Sequence, residues 1–299
     1  MATRHPEFQY LDLLKDVWET GSERIDRTGV GTRAKAGTMM RFDLSDGTVP
    51  ILTTKKVRWR DALIEMLWFL SGDTNIRSLV SQGVRIWTDW PLDRYRKATG
   101  ENISKEEFEA RILEDEDFAK AHGSIGYCYG AQWRAWRTPE GGTIDQVAET
   151  IRLLREDPYS RRNLFHAWNV ADLPSMALAP CHMVYQWFVA DGRLHLVLYQ
   201  RSADTVLGVP FNLAGASFLL RMLAQQADLE PGTFTWFGGD THVYLNHAHV
   251  VEEQTRREPR PFPKLALRRR PATIDDYSVD DFELIGYDPH PFIKAPVAV

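Results

Sequence analysis

The chain lacks most of the features that would place it outside the cell, in a membrane or on DNA. It has two cysteines, Cys128 and Cys181, so a disulfide-stapled fold is excluded and a reducing cytoplasm is expected. No stretch approaches the ~18 consecutive apolar residues of a membrane span. The N-terminal MATRHPEFQY has no apolar signal core, so no membrane association is expected. Basic residues are not in excess. A net charge of −5 argues against a broad nucleic-acid footprint, although a local arginine cluster could still hold a small anion. No G-x-G-x-x-G follows a strand-like run and no P-loop occurs, so a dinucleotide or Walker-type site is not indicated. His and Cys residues lack zinc-ligand spacing, and no metal is expected. There is no internal repeat and no low-complexity segment.

What is present is a globular composition, 43% hydrophobic and 26% charged over 299 residues, with ten tryptophans. It is read as a single catalytic domain, 1–299, with a small helical insertion at about 91–125. Residues 7–20 carry apolar side chains at helical spacing. Residues 26–32 are Gly-rich and polar, a loop. Residues 37–53 alternate enough to suggest strands. Residues 61–70 form an apolar helix with Glu65 embedded in it, and a carboxylate there must be paired, protonated or functional unless it turns out of the helix's polar side. In the insertion, Ser104 and Glu107 match a capping box, and the acidic run to Asp117 reads as a solvated face. Residues 183–200 read as a hairpin turning at Asp191-Gly192, and 213–227 as a buried helix. The pattern is α+β with a mixed, mainly antiparallel sheet.

Chemistry concentrates in two nearby clusters. Ala179-Pro180-Cys181-His182 puts a thiol beside an imidazole. Tyr199-Gln200-Arg201-Ser202-Ala203-Asp204 offers a guanidinium, a hydroxyl and a carboxylate. A free thiol, with a pKa of about 8.5, is mostly protonated at neutral pH. A nearby Arg favours the thiolate and can also hold an anionic substrate. Burial as a small hydrophobe is the commoner fate of a lone cysteine, so the surrounding pattern has to decide.

That pattern resembles the folate-dependent thymidylate synthase family over nearly the whole chain. The matching blocks include DRTGVGT (26–32), LTTKK (52–56), EMLWFLSGDTNI (65–76), IWTDW (86–90), YGAQWRAW (129–136), SRR (160–162), MALAPCH (176–182), LYQRSAD (198–204), LGVPFN (207–212), GGDTHVYLNH (238–247) and YDPHPFIKAPVAV (287–299). The insertion is similar to one found in some members and absent from others.

The resemblance implies reductive methylation of dUMP to dTMP, with 5,10-methylenetetrahydrofolate as one-carbon donor and reductant. It implies Cys181 as the thiolate that adds to carbon 6 of the base. Arg201 would lower its pKa and bind phosphate. Asn212 would read the O4 and N3–H edge of uracil, and Glu65, Tyr129 and Asp204 would serve proton transfer. The phosphate would be held by Arg27, Arg201 and Ser202, joined by Arg161 and Arg162 from the other subunit of a homodimer that associates through the sheet. His242 and Tyr244 would hold the sugar 3′-hydroxyl. The folate would meet Lys55, Trp87, Trp90, Asp204, Leu207, Gly208, Phe211 and Ala298. No DNA or membrane partner is implied.

The chain departs from the family pattern at Ala34-Lys35-Ala36-Gly37, at Leu213-Ala214-Gly215-Ala216, at Thr88 after the first tryptophan of its block, at Tyr127 and at Arg58. Room for water near the base would favour a second product, 5-hydroxymethyl-dUMP with release of tetrahydrofolate. Trp87 and the intact C-terminal segment favour methylation. A DNA cytosine methyltransferase, which also uses a Pro-Cys nucleophile, would need a Rossmann-like site and a basic face, and neither is present.

Overall fold

The computed structural model describes residues 4–25 and 28–297. Its elements run α1 (Phe8–Thr20), β1 (Ser22–Arg24), β2 (Thr32–Asp43), α2 (Trp59–Leu70), α3 (Arg77–Val80), α4 (Asp89–Thr99), α5 (Lys105–Glu114) and α6 (Glu116–His122). They continue through α7 (Gly130–Arg134), β3 (Trp136–Arg137), β4 (Thr143–Ile144), α8 (Gln146–Glu156), β5 (Leu164–His166), β6 (His182–Ala190) and β7 (Arg193–Asp204). The last are α9 (Gly208–Gln226), β8 (Glu230–Tyr244), α10 (Ala248–Gln254), β9 (Lys264–Leu267) and β10 (Phe282–Ile285). Among the described residues no helix is long and apolar enough to cross a membrane. The fold is α+β, as the sequence suggests, and it divides into two compact units.

The first unit comprises residues 4–25, 28–63, 151–164 and 181–297. Its sheet runs β1-β2-β8-β7-β6, continued at the edge by the start of β5 at Leu164. The β1–β2, β2–β8 and β6–β7 pairs are antiparallel, while β7 and β8 are parallel and joined through α9. Asp191 and Gly192 both take positive φ, 50° and 70°, which closes the expected β6–β7 hairpin. Register separates the faces. Met40, Trp236, Leu198 and Tyr185 lie in one cross-strand row, all buried, and Phe42, Phe234, Leu196 and Trp187 form the next. The opposite face presents Met39, Phe237 and Tyr199 in one row, with Phe188 further along, and all four are exposed. Helix α1 packs on β2 and β8, and α9 on β7 and β8.

The strand expected over 37–53 ends at Asp43. Asp43 and Asp46 accept backbone N–H bonds from Ser45 and Thr48, each at 2.9 Å, and so turn the chain out of the ladder. The segment that follows touches the β9 strand only at an isolated Thr48–Lys264 bridge, and at Thr53 and Thr54 Glu7 takes the place of a strand partner. Its carboxylate, fully buried, accepts from the backbone N–H and hydroxyl of both Thr53 and Thr54, at 2.6–3.0 Å.

The second unit comprises residues 64–150 and 165–180. The capping box forms: Glu107 N–H donates to Ser104 Oγ at 3.1 Å, and Ser104 N–H to Glu107 at 2.8 Å. Rings of Tyr95, Phe108 and Phe118 meet at 5.3–5.7 Å between centroids. The acidic run is not all solvated, since Glu109 is 7% exposed. Its position on α5, one helical step from Phe108 and three from Ile112, turns it inward toward polar partners rather than water.

Candidate functional site

In the first unit the candidate residues gather where β7 and β8 end and where β6 and α9 begin. Cys181 is half-buried and directly precedes β6. The backbone N–H of Arg201 donates to the Cys181 carbonyl at 2.8 Å, so the thiol-bearing residue faces β7 at the guanidinium-bearing one. A bulge between His182 and Val184 marks this end of the pairing. His182 is buried and bonded through Nδ1 to the Tyr185 hydroxyl at 2.9 Å. Burial lowers its pKa to about 3, so the imidazole beside the thiol is neutral. Cationic assistance to Cys181 therefore comes from elsewhere than His182.

Parallel register aligns Ser202 with Asp240 and Asp204 with His242. Asp204 Oδ1 accepts from the N–H groups of Val206 and Leu207 at 2.9 and 3.2 Å, shaping the turn into α9. Leu207 sits at the N-cap of α9 and Gly208 opens it, with Phe211 and Asn212 following in the first turn and a half. A Cβ added at Gly208 would lie 3.6 Å from Asn212 Oδ1 and 3.7 Å from Asp204 Cβ, which puts these three residues side by side. His242 Nδ1 meets Asp240 Oδ1 at 3.1 Å, and its ring stands edge-on to Tyr244 at 5.4 Å. The hydrogen bond from His242, reinforced by Arg24, holds the Asp240 carboxyl down at about 2. With Asp240 ionised, a proton on His242 Nδ1 faces its carboxylate.

Lys55 is 5% exposed, and its ammonium donates to the Val206 carbonyl. Burial lowers its pKa to about 8. Arg161 and Arg162 stand exposed in the loop between α8 and β5. Arg27 and Ala298, both expected at the site, lie outside the described residues.

The second unit gathers its own set. The Trp87 indole N–H donates to Glu65 Oε1 at 2.6 Å, so the carboxylate embedded in α2 is paired, as its apolar surroundings demand. Trp87 and Trp90 rings lie 5.3 Å apart, and Trp87 meets Tyr129 edge-on at 5.7 Å. Tyr129 holds φ 29°, unusual for a non-glycine residue, and stacks on Phe69 at 4.5 Å. Its neighbour Gly130 admits no Cβ, which would fall 2.4 Å from the Phe69 carbonyl oxygen. The strained tyrosine is thus held by packing on both sides.

Two participants were given no role from the sequence. Gln200 is buried. It accepts from the Trp236 indole at 2.8 Å and donates to Asn212 Oδ1 at 2.8 Å. Its signal was a lone amide continuing the apolar alternation of Leu194, Leu196 and Leu198. Asp240 orients His242, and the i, i+2 spacing on a strand was the available clue. Among the described residues no group of His, Cys, Asp and Glu could hold a metal ion.

The family model described as thymidylate synthase matches residues 8–299. A thymidylate synthase of Rhizorhabdus wittichii is 59% identical, covering 99% of this chain and 100% of the relative. One from Rhodopseudomonas palustris is 60% identical over 99% and 100%, and one from Zymomonas mobilis 60% over 98% and 99%. Identity at this level spans both units, the insertion and the blocks around Cys181, Asp204 and His242, so the chain belongs to the thymidylate synthase family.

Proposed function

We infer that this chain carries out the reaction its family is named for, conversion of dUMP to dTMP through a Cys181 adduct at carbon 6. The observation that supports it most is the pairing of Cys181 with Arg201 across β6 and β7, beside an Asn212 amide aligned by Gln200. Carbon 5 of uracil is a poor nucleophile. Addition of the Cys181 thiolate at carbon 6 places an enolate across carbons 5 and 4, and carbon 5 can then attack an electrophilic carbon. Arg201 stabilises the thiolate and, with Arg27 and Ser202, takes the phosphate. Asn212 offers Nδ2–H to O4 and the remaining lone pair of Oδ1 to N3–H. His242 Nε2 accepts from the sugar 3′-hydroxyl, and Tyr244 stands beside it.

The residues fit a folate co-substrate. The buried Trp90 indole N–H has no hydrogen-bond partner among the described residues. Trp87 and Trp90 supply flat apolar surface, and Asp204 keeps its second oxygen for a ring donor. When bound, methylenetetrahydrofolate supplies the one-carbon unit and the hydride. Leu207, Gly208, Phe211 and Lys55 would hold it, and Ala298, also expected to, lies outside the described residues. Glu65 and Tyr129 organise the protons that leave carbon 5 and reach the folate.

Two copies form the working enzyme. The exposed row of Met39, Phe237 and Tyr199 supports association through the sheet, a two-fold contact that would bring Arg161 and Arg162 of one protomer to the phosphate of the other. Two free cysteines support a reducing cytoplasm as the location of the reaction. The names of the relatives support methylation over hydration to 5-hydroxymethyl-dUMP.

The test is to supply dUMP and methylenetetrahydrofolate and weigh the product. A methyl mass with stoichiometric dihydrofolate is expected; a hydroxymethyl mass rejects the assignment. Cys181→Ser should still bind dUMP but turn over at least about a thousandfold more slowly, because a hydroxyl replaces the thiolate.

A further inference from the structure

Helix α5 of the insertion grips one short segment, residues 85–89, through four side-chain contacts. Arg85 Nε meets Glu109 Oε2 at 2.6 Å, and Arg85 also donates to Glu106 at 2.7 Å. The Thr88 hydroxyl donates to Glu109 Oε1 at 2.6 Å, and Lys105 donates to Asp89 at 2.7 Å. The contacts differ in burial. Glu109 and Thr88 are 7% and 1% exposed, whereas the Glu106 side chain is 72% exposed. Thr88 occupies the N-cap of α4, where a threonine normally caps the first turn with its own oxygen. Here the side chain makes no cap bond and is turned to Glu109 instead. Between the two anchored residues, Arg85 and Thr88, lies Trp87, whose indole N–H goes to Glu65 at 2.6 Å and whose ring meets Trp90 and Tyr129.

We propose that Glu109 is a positioning residue for the folate platform: by holding Arg85 and Thr88 with its two oxygens, it sets the placement of Trp87 that aims the indole at Glu65. Each oxygen of the carboxylate is committed to the same short segment, one on either side of Trp87. Removing it leaves a buried hydroxyl without its acceptor and an arginine without its buried partner, so the segment keeps only the more exposed pairs to Glu106 and Lys105. A displacement of the order of 1 Å is enough to cost a reaction heavily when it moves a group that orients substrate or protons. The inference rests on the roles given above to Trp87 and Glu65.

The experiment compares Glu109→Ala, Glu109→Gln, Thr88→Val, Glu106→Gln and Trp87→Phe. Measured for each are kcat, KM for methylenetetrahydrofolate, dUMP binding and melting temperature. Glu109→Ala should raise the folate KM and lower kcat, together about tenfold or more in kcat/KM, with dUMP binding unchanged. Glu109→Gln should recover part of the loss, because its amide oxygen still accepts from Thr88. Thr88→Val, which keeps shape and removes only the donor, should move the folate KM in the same direction, and it decides the matter if Glu109→Ala does not fold. Glu106→Gln should leave all four readings unchanged, as expected of an exposed pair. Unchanged folate kinetics in both Glu109→Ala and Thr88→Val, with Trp87→Phe impaired, overturn the inference alone. So does an equal loss of folate and dUMP binding that tracks the melting temperature, with no recovery in Glu109→Gln. Normal folate kinetics in Trp87→Phe would overturn the role of Trp87 beneath it as well.

Discussion

Gln200 donates an amide hydrogen to Asn212 Oδ1 at 2.8 Å while its own oxygen takes the Trp236 indole N–H, also at 2.8 Å. The indole can only donate, so it forces the Gln200 oxygen toward itself and the amino group toward Asn212. That in turn directs Asn212 Nδ2 away from Gln200. The orientation of the Asn212 amide, proposed above to read the base, is thus set by Gln200 and Trp236.

Gln200→Leu should therefore weaken dUMP binding by about tenfold and cost roughly 1–3 kcal/mol of stability, since the Trp236 N–H is left buried without an acceptor. Titration calorimetry with dUMP and a denaturant melt check both. Asn212→Asp should lose dUMP turnover and gain dCMP binding, because a carboxylate suits the cytosine edge. Unchanged dUMP kinetics in the Asp variant would contradict the assignment of Asn212.

Asp240 gives the acid side of the molecule a signature. Its carboxyl is held at about 2 instead of 3.8. A depressed carboxylate pKa contributes stability that is present above pH ~4 and lost as pH falls toward ~2. Asp240→Asn should be less stable than wild type at pH 7, with the gap closing over that window. The same variant frees the His242 tautomer, so KM for dUMP should rise while dUMP analogues lacking the 3′-hydroxyl are affected less. Parallel melts at pH 2–7 and steady-state kinetics would show a pH-independent gap if the pairing were unimportant.

Lys55 is shifted by burial from 10.5 to about 8. A lowered lysine pKa means that the unfolded chain binds more protons between pH ~8 and ~10.5, so stability rises with pH across that window. Lys55→Met should be more stable at pH 7, by at most about 3 kcal/mol, less the bond lost at the Val206 carbonyl, and should lack the alkaline rise. Its folate KM should increase. A lower melting temperature at pH 7 in the variant would refute this.

Shared sites predict complementation. A heterodimer of a Cys181→Ser chain with an Arg161→Ala/Arg162→Ala chain holds one site with both lesions and one with none, if the arginines act across the interface. About half of wild-type activity per dimer should return on mixing. If each arginine serves its own chain, both sites carry a lesion and nothing returns, which an activity assay on purified heterodimers would reveal.

Periodicity made the helices around Leu11 and Leu63 visible, and Asp191-Gly192 made the hairpin visible, because those signals are local. The blocks around Cys181 and His242 were visible through family resemblance. What stayed hidden depends on partners distant in sequence. Residues 44–53 look strand-like, yet they make only one isolated bridge, Thr48 to Lys264, and Glu7 satisfies Thr53 and Thr54 in place of a neighbouring strand. Glu109 reads as one more acid in a charged run until Thr88 and Arg85 are seen against it. Gln200 becomes informative only when Trp236, on the adjacent strand, supplies the indole. A mixed sheet was expected, but which strands run parallel, β7 with β8, was not legible locally.

The pairing of β2 with β8 has a consequence for synthesis. Thr32–Asp43 lies against Thr233–Tyr244, so a strand made early waits for one made some two hundred residues later. At ~5–20 residues per second on the ribosome, that interval is roughly 10–40 seconds. Throughout it, β2 has only the three-residue β1 beside it and a bare edge on the other side. Products truncated before Glu230 would keep that edge permanently, and they, rather than the finished chain, are the species that chaperones and proteases must recognise.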